Sequence, residues 1–245
     1  MKKDDSIPQI IHLIWIGGNP KPKIIDDCIA SWKHYMPEYK IIEWNEKNYD
    51  VFKNDFLKQA YLSKKWAFVS DYMRFDILNQ YGGIYFDTDV ELLKKIPKEI
   101  LKHHAFTGVE SAGKVNPGLV FGCEKGFWLC KEMLDVYNNS QFDNRKPITV
   151  NIIISQILQE KGFEENNKFQ IIDELAIYPK EYFCAYDQDI REVSITDKTI
   201  SVHHYVGTWK KSGKTKIIKL LKSVIGIKNY KKLILLKRKI THRVK

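Results

Sequence analysis

Two carboxylates two residues apart, Asp87 and Asp89, stand directly after the apolar run Ile84-Tyr85-Phe86. A short apolar run reads as a buried strand, and carboxylates at i and i+2 just beyond it converge if the backbone turns there. Such a pair suits Mg²⁺ or Mn²⁺, which prefers oxygen ligands, keeps some waters and bridges carboxylates to phosphates. In open α/β sheets, ligands gather at the carboxyl ends of strands. A second pair, Asp187 and Asp189, has the same spacing but comes after Ala185-Tyr186 in polar sequence with no apolar run before it. That pair reads as a solvated loop. Spacing alone therefore identifies nothing, and the elements around each pair have to decide.

Those elements alternate. Pro8 to Ile16 is apolar and β-branched and ends at Gly17-Gly18-Asn19-Pro20, which predicts a strand and a turn. Ile24 to Tyr35 has helical spacing and stops near Pro37; Tyr39 to Trp44 predicts a second strand, with Asn45 as the cap of the next element. A strand, a helix and a strand in that order predict a βαβ unit and a parallel sheet. Trp66 to Gln80 is the clearest helix, stopped by Gly82-Gly83 just before the acidic pair. On it, Asp71 and Arg74 are three residues apart and share a face. Further strands are expected over Ala105–Val109, Gly118–Gly122, Gln170–Ile172 and Thr199–Tyr205, and helices over Phe127–Tyr137 and Ile148–Gln159. The fold class is α/β, in one domain.

The ordered motifs resemble a known family. Ser70-Asp71-Tyr72-Met73-Arg74 and, after it, Gly82-Gly83-Ile84-Tyr85-Phe86-Asp87-Thr88-Asp89 resemble the DXD-containing sugar transferases of glycosyltransferase family 32. More distantly, the same segment is similar to the glucosylating domains of large bacterial toxins. The resemblance extends back through Ile11-His12-Leu13-Ile14-Trp15-Ile16-Gly17-Gly18 and Trp44-Asn45-Glu46, and ends with His203-His204-Tyr205-Val206-Gly207-Thr208-Trp209. It implies a GT-A type, Rossmann-like nucleotide-sugar-binding domain over residues 1–209, with a mostly parallel central sheet.

By the same resemblance, the chain is a metal-dependent, retaining hexosyltransferase that uses a UDP-sugar and Mn²⁺ or Mg²⁺ in surface or capsular polysaccharide synthesis. Asp87, Asp89 and His203 would hold the metal. Asp71 and Arg74 would contact donor-sugar hydroxyls, and Arg74 would also offset phosphate charge. With Asp87 and Asp89 they form the catalytic set. Trp15 would stack on the uracil ring, and Ile14, Ser70, Tyr85, Asn116, Thr208 and Trp209 would complete the donor site. Each has a plainer reading: core packing for Trp15 and Tyr85, a structural histidine for His203, and an intrahelical ion pair for Asp71 and Arg74.

Charge is unevenly placed. Of the formal net charge of +10, +14 falls in residues 210–245, which hold 14 Lys and Arg and no acid, so residues 1–209 carry −4. This argues against a nucleic-acid-binding domain and for a local electrostatic anchor. Ile217, Leu220, Leu221 and Val224 share a helical face flanked by Lys216, Lys219 and Lys222; past Gly226, Tyr230, Leu233 and Ile234 recur among lysines. A basic amphipathic helical tail of this kind suits an anionic membrane surface. A lipid-linked saccharide acceptor would account for such an anchor.

The amino terminus, Met1-Lys2-Lys3-Asp4-Asp5, lacks the apolar core of a signal peptide, and Cys28, Cys123, Cys130 and Cys184 form no C-x-x-C pair. The expected setting is cytoplasmic, peripheral on the inner face of the plasma membrane. One alternative is a phosphotransferase of the haloacid-dehalogenase type, though that chemistry wants Asp-x-Asp-x-Thr near the first strand and here Val90-Glu91 comes next. The other is a non-catalytic membrane-binding module, supported only by the tail.

Overall fold

The computed structural model describes residues 7–145, 148–187 and 192–206. The chain opens with β1 (Ile10–Ile14), α1 (Lys23–Tyr35) and β2 (Lys40–Trp44), and β1 and β2 pair in parallel, as the βαβ reading requires. Next come α2 (Asp55–Leu62) and α3 (Trp66–Tyr81). Sequence reasoning missed α2, and the cap it assigned to Asn45 belongs to Asn54 instead. The Asn54 side chain accepts from Leu57 N at 3.1 Å, while Asn45 Oδ1 only closes a turn onto Lys47 N.

After α3 the chain runs through β3 (Gly83–Tyr85), β4 (Val90–Leu92), α4 (Lys98–Leu101), β5 (Ala105–Ser111), β6 (Lys114–Val115) and β7 (Phe121–Cys123). Then come α5 (Trp128–Asn138), α6 (Val150–Glu160), β8 (Gln170–Ile172), β9 (Leu175–Tyr178), α7 (Lys180–Phe183), β10 (Tyr186–Asp187), β11 (Glu192–Val193) and β12 (Ser201–His203).

The main sheet has eight strands in the order β2-β1-β3-β7-β5-β9-β8, with β6 beside β5. Strands β1, β2, β3, β5 and β9 run one way, and β6, β7 and β8 oppose them. The sheet is therefore mixed α/β and mostly parallel. Strand alternation divides the core in two. Ile14 and Tyr85 face α2, α3, α5 and α6, while Ile11, Leu13 and Ile84 face α1 and α7.

Helix α3 is buried along most of its length: every residue from Asp71 to Leu78 is buried. It stops at Gly82, whose φ of +62° favours glycine and where a Cβ would lie 2.7 Å from Lys125 N. At Gly83, φ is +100° and a Cβ would meet Ile10 O at 2.6 Å, so β3 sits flush against β1 only because this residue has no side chain. His12 secures the same corner. Its Nε2–H donates to Gly82 O at 2.8 Å and its Nδ1 accepts from Trp44 Nε1 at 3.1 Å. Burial lowers its pKa to about 4, against a smaller upward pull from the Gly82 carbonyl, so the ring is neutral.

Several expected boundaries move. The strand expected at Gly118–Gly122 is only Phe121–Cys123, because residues 116–119 form a turn closed by Leu119 N on Asn116 O. The last strand shrinks to Ser201–His203 and pairs with β4, outside the main sheet. Asp187, expected in a loop, lies in the β10–β11 hairpin, where cross-strand pairing with Glu192 supplies the backbone partners. Asp189 lies outside the described residues. No described helix is long and apolar enough to cross a membrane. All four cysteines are buried, and none forms a disulfide.

Candidate metal and donor site

The backbone turns sharply after β3. Asp87 N donates to Gly118 O at 3.0 Å, and Val90 N donates back to Asp87 O at 3.1 Å, so the chain reverses between the two acids. A Cβ on Gly118 would lie 2.2 Å from Asp87 Oδ2 and 3.0 Å from Asn116 Oδ1. Only glycine leaves room for Asp87 there. Asn116 holds this turn: its Oδ1 accepts from Gly118 N at 2.8 Å and its Nδ2 donates to Glu110 Oε2 at 2.9 Å.

Pairing of β12 with β4 sets His203 opposite Val90 and carries its ring to the acids. His203 Nε2 lies 3.0 Å from Asp89 Oδ1 and 3.8 Å from Asp87 Oδ2. One ligand atom from each of Asp87, Asp89 and His203 falls within 4.8 Å of the others. Two backbone amides fix Asp89 further: Val206 N donates to its Oδ2 at 2.8 Å, and His204 N to its carbonyl at 3.0 Å.

The charges in this cluster reinforce each other. Burial pushes the His203 pKa down, but Asp89, Asp87 and Glu110 outweigh it and raise the value above that of free histidine. For Asp89 burial acts upward, and His203 with the Val206 amide brings the pKa below the ordinary carboxylate value. His203 Nδ1 is buried with no hydrogen-bond partner among the described residues. Two carboxylates and one imidazole form a donor set that can hold a divalent cation.

Arg74 links helix to motif. It is buried, its terminal nitrogen lies 2.8 Å from Asp71 Oδ1 and 3.3 Å from Asp87 Oδ1, and its Nε donates to Ser70 O at 3.2 Å. The guanidinium also sits 4.6 Å from the Tyr85 ring centroid, and the Tyr85 hydroxyl donates to Asp87 Oδ1 at 2.8 Å. The intrahelical pair and the reach to the acidic motif thus coexist in one side chain. Burial raises the Asp71 pKa to about 7 against the lowering effect of Arg74, while Asp87 adds to the rise.

Not every expected residue joins this cluster. The Ile14 side chain is buried in the core, so only its backbone is available there. Ser70 Oγ donates to Ala67 O at 2.8 Å. Trp15 lies just past β1, half-buried, with Nε1 donating to Asn19 O at 2.7 Å. Near it, Gly17 N donates to Glu46 Oε1 at 2.7 Å, and a Cβ on Gly17 would strike the Trp66 ring at 2.7 Å. Thr208, Trp209 and the basic tail lie outside the described residues.

Sequence reasoning also missed Gly118, Glu110 and Trp66. The Asn116-Pro117-Gly118 turn was a signal for the first; the other two gain meaning only through contacts between distant segments. A cleft of about 190 Å³ lined by Trp44, Tyr49, Lys53, Asp76, Gln80 and Tyr81 shares no residue with this cluster.

Residues 22–107 match the family model described as "glycosyltransferase sugar-binding region containing DXD motif". The chain is 24% identical over 168 residues to Subversion of eukaryotic traffic protein A of Legionella pneumophila, covering 56% of this chain and 26% of that protein. It is also 24% identical over 158 residues to the human alpha-1,4-N-acetylglucosaminyltransferase, covering 61% of this chain and 45% of that enzyme. The chain thus spans less than half the length of either curated relative. Among solved structures, the PaToxG glycosyltransferase aligns at a TM-score of 0.48 and 21% identity, covering 64% of this chain and 70% of that one. A glycosyltransferase involved in glycosylation of the PBCV-1 major capsid aligns at 0.42 and 10% identity, covering 71% and 84%.

Proposed function

We propose, on the premise that this chain carries the sugar-binding region of the DXD glycosyltransferases, that it transfers a hexose from a UDP-sugar to a saccharide hydroxyl with retention of anomeric configuration. The observation that carries this reading is the convergence of Asp87, Asp89 and His203 beside Arg74. In this reading the three residues hold Mn²⁺ or Mg²⁺, and the ion supplies Lewis-acid charge opposite the leaving diphosphate.

The protein's own groups do the rest. Arg74, buried and permanently charged, adds positive charge beside Asp87, and its burial makes that charge count for more than it would in water. Asp71 gives Oδ1 to Arg74, and its Oδ2, with no partner among the described residues, is left to accept from a donor-sugar hydroxyl. Trp15 offers a ring face to uracil, its tilt fixed by the bond to Asn19. Tyr85 and Asn116 hold Asp87 and its turn in place. Thr208 and Trp209 close the donor site, and departure and attack share one face of the sugar.

The wider role comes from the tail. Residues 1–209 act as the transferase domain, and residues 210–245 anchor it to the anionic inner face of the plasma membrane. There it would serve surface or capsular polysaccharide synthesis on an acceptor such as a lipid-linked saccharide. The reading is tested by Mn²⁺-dependent UDP release from a panel of UDP-sugars, N-acetylglucosamine included, repeated on Asp89→Ala. Release that needs metal and is lost in the variant supports it; release from no donor, or an unaffected variant, removes it.

A further inference from the structure

Both carboxylates of the metal cluster are aimed by polar contacts: Tyr85 and Arg74 hold Asp87, and the Val206 amide holds Asp89. The imidazole is set differently. His203 Nε2 faces the acids, while Nδ1 is buried with no hydrogen-bond partner among the described residues. A ligating histidine ordinarily bonds through its second nitrogen, and that bond fixes the plane of the ring. Here packing has to fix it. The Tyr205 ring lies against His203, with centroids 4.0 Å apart and planes tilted by 35°. Tyr205 is braced in turn: its hydroxyl lies 3.3 Å from Sγ of the buried Cys184, and its ring lies 5.9 Å from that of Tyr186. The backbone points the same way. Tyr205 has a φ of +51°, a left-handed conformation that glycine takes freely and that a bulky residue adopts under strain. It sits between the two amides, of His204 and Val206, that bind Asp89, so the turn that serves Asp89 also carries a ring to His203.

We propose that Tyr205 is a positioning residue whose ring, stacked on His203, holds the imidazole with Nε2 toward Asp87 and Asp89. This rests on the metal-site reading of the proposed function. Without the ring, His203 keeps its place in β12 but gains rotation about its side-chain bonds. Each orientation turned from the acids lowers the fraction of protein ready to bind an ion, and the apparent affinity falls with that fraction. Cys184, just past α7, and Tyr186 in β10 brace the tyrosine from behind.

The test measures Mn²⁺ binding to the full chain, read from the loss of the free-ion paramagnetic resonance signal. It compares wild type, Tyr205→Leu and Tyr205→Phe, and repeats Tyr205→Leu in a His203→Ala background. The expected result is Mn²⁺ affinity about tenfold weaker in Tyr205→Leu and within about threefold of wild type in Tyr205→Phe, which keeps the ring. In the His203→Ala background, Tyr205→Leu should change affinity by less than about twofold, because the ligand it positions is gone. A tyrosine that only stabilised the fold would cost the same in both backgrounds. Wild-type affinity in Tyr205→Leu overturns the proposal, as does an equal loss in both backgrounds or a Phe variant as weak as the Leu variant. If the wild type takes up no Mn²⁺, or His203→Ala binds it unimpaired, the metal-site reading fails first and this inference goes with it.

Discussion

Asp87 is the residue on which the site turns, because four separate segments fix it. Tyr85 donates to its Oδ1, Arg74 approaches the same oxygen, Gly118 accepts its amide, and His203 lies beside Oδ2. The second oxygen has its place only because residue 118 lacks a side chain. Gly118→Ala should therefore push Asp87 aside and reduce Mn²⁺-dependent UDP release at least about tenfold, with the far-ultraviolet circular dichroism unchanged. A variant that keeps wild-type release would show that the carboxylate tolerates displacement. The acidic pair was visible from its position after an apolar run. The bridge from Arg74 was not, since it joins a helix to a strand end and no periodicity encodes that distance. His203 carried no signal of its own beyond the family likeness. Its approach to Asp89, 114 residues away in sequence, is made by the pairing of β12 with β4.

At the scale of elements, a helix and a strand carry two buried titratable groups with opposite effects on stability. His12 in β1 has its pKa depressed to about 4, so the unfolded chain binds the proton more tightly between that value and about 6.5, and stability falls as pH drops through the window. Asp71 in α3 has its pKa raised to about 7, so the folded chain binds the proton more tightly from there down to about 3.8, and stability rises as pH drops. Each effect is on the order of 3 kcal/mol, so they largely cancel in the wild type. Asp71→Asn removes one side of the balance. Its unfolding free energy, from urea melts at pH 7, 5.5 and 4, should fall with acid by on the order of 3 kcal/mol more than that of wild type. Parallel curves would mean that the Asp71 carboxyl titrates normally.

The same elements show where sequence reading reaches its limit. Strand β1, α1, β2 and α3 were legible because glycine or proline punctuates long apolar runs. Strand β4 was not, because Val90-Glu91-Leu92, three residues with one charged member, has no pattern until it pairs, and β12 is expected longer than it is, over Thr199–Tyr205, because nothing in the sequence marks where its pairing with β4 ends. Helix α2 was hidden because its cap was sought at the wrong asparagine.

For the molecule as a whole, the charge division is the feature still open to use. Residues 1–209 carry −4 and residues 210–245 carry +14, so any attraction to an anionic bilayer has one source. Removing residues 210–245 should abolish co-sedimentation with phosphatidylserine-containing liposomes while leaving Mn²⁺-dependent UDP release within about threefold of the full chain. Persistent binding would place the anchor elsewhere. The α/β class and mostly parallel sheet were readable from the alternation of elements and the family likeness. The antiparallel β7 was not, because Phe121-Gly122-Cys123 carries no sign of strand direction.

The central claim is that Asp87, Asp89 and His203 together hold a divalent ion that the nucleotide-sugar needs. It is tested most directly by titrating UDP into the wild type and Asp89→Ala, each with Mn²⁺ and again with EDTA. Binding by the wild type that weakens at least about a hundredfold on chelation, and that is lost in Asp89→Ala with metal present, is the predicted result. UDP binding of equal strength with and without Mn²⁺, or retained by the variant, would contradict it.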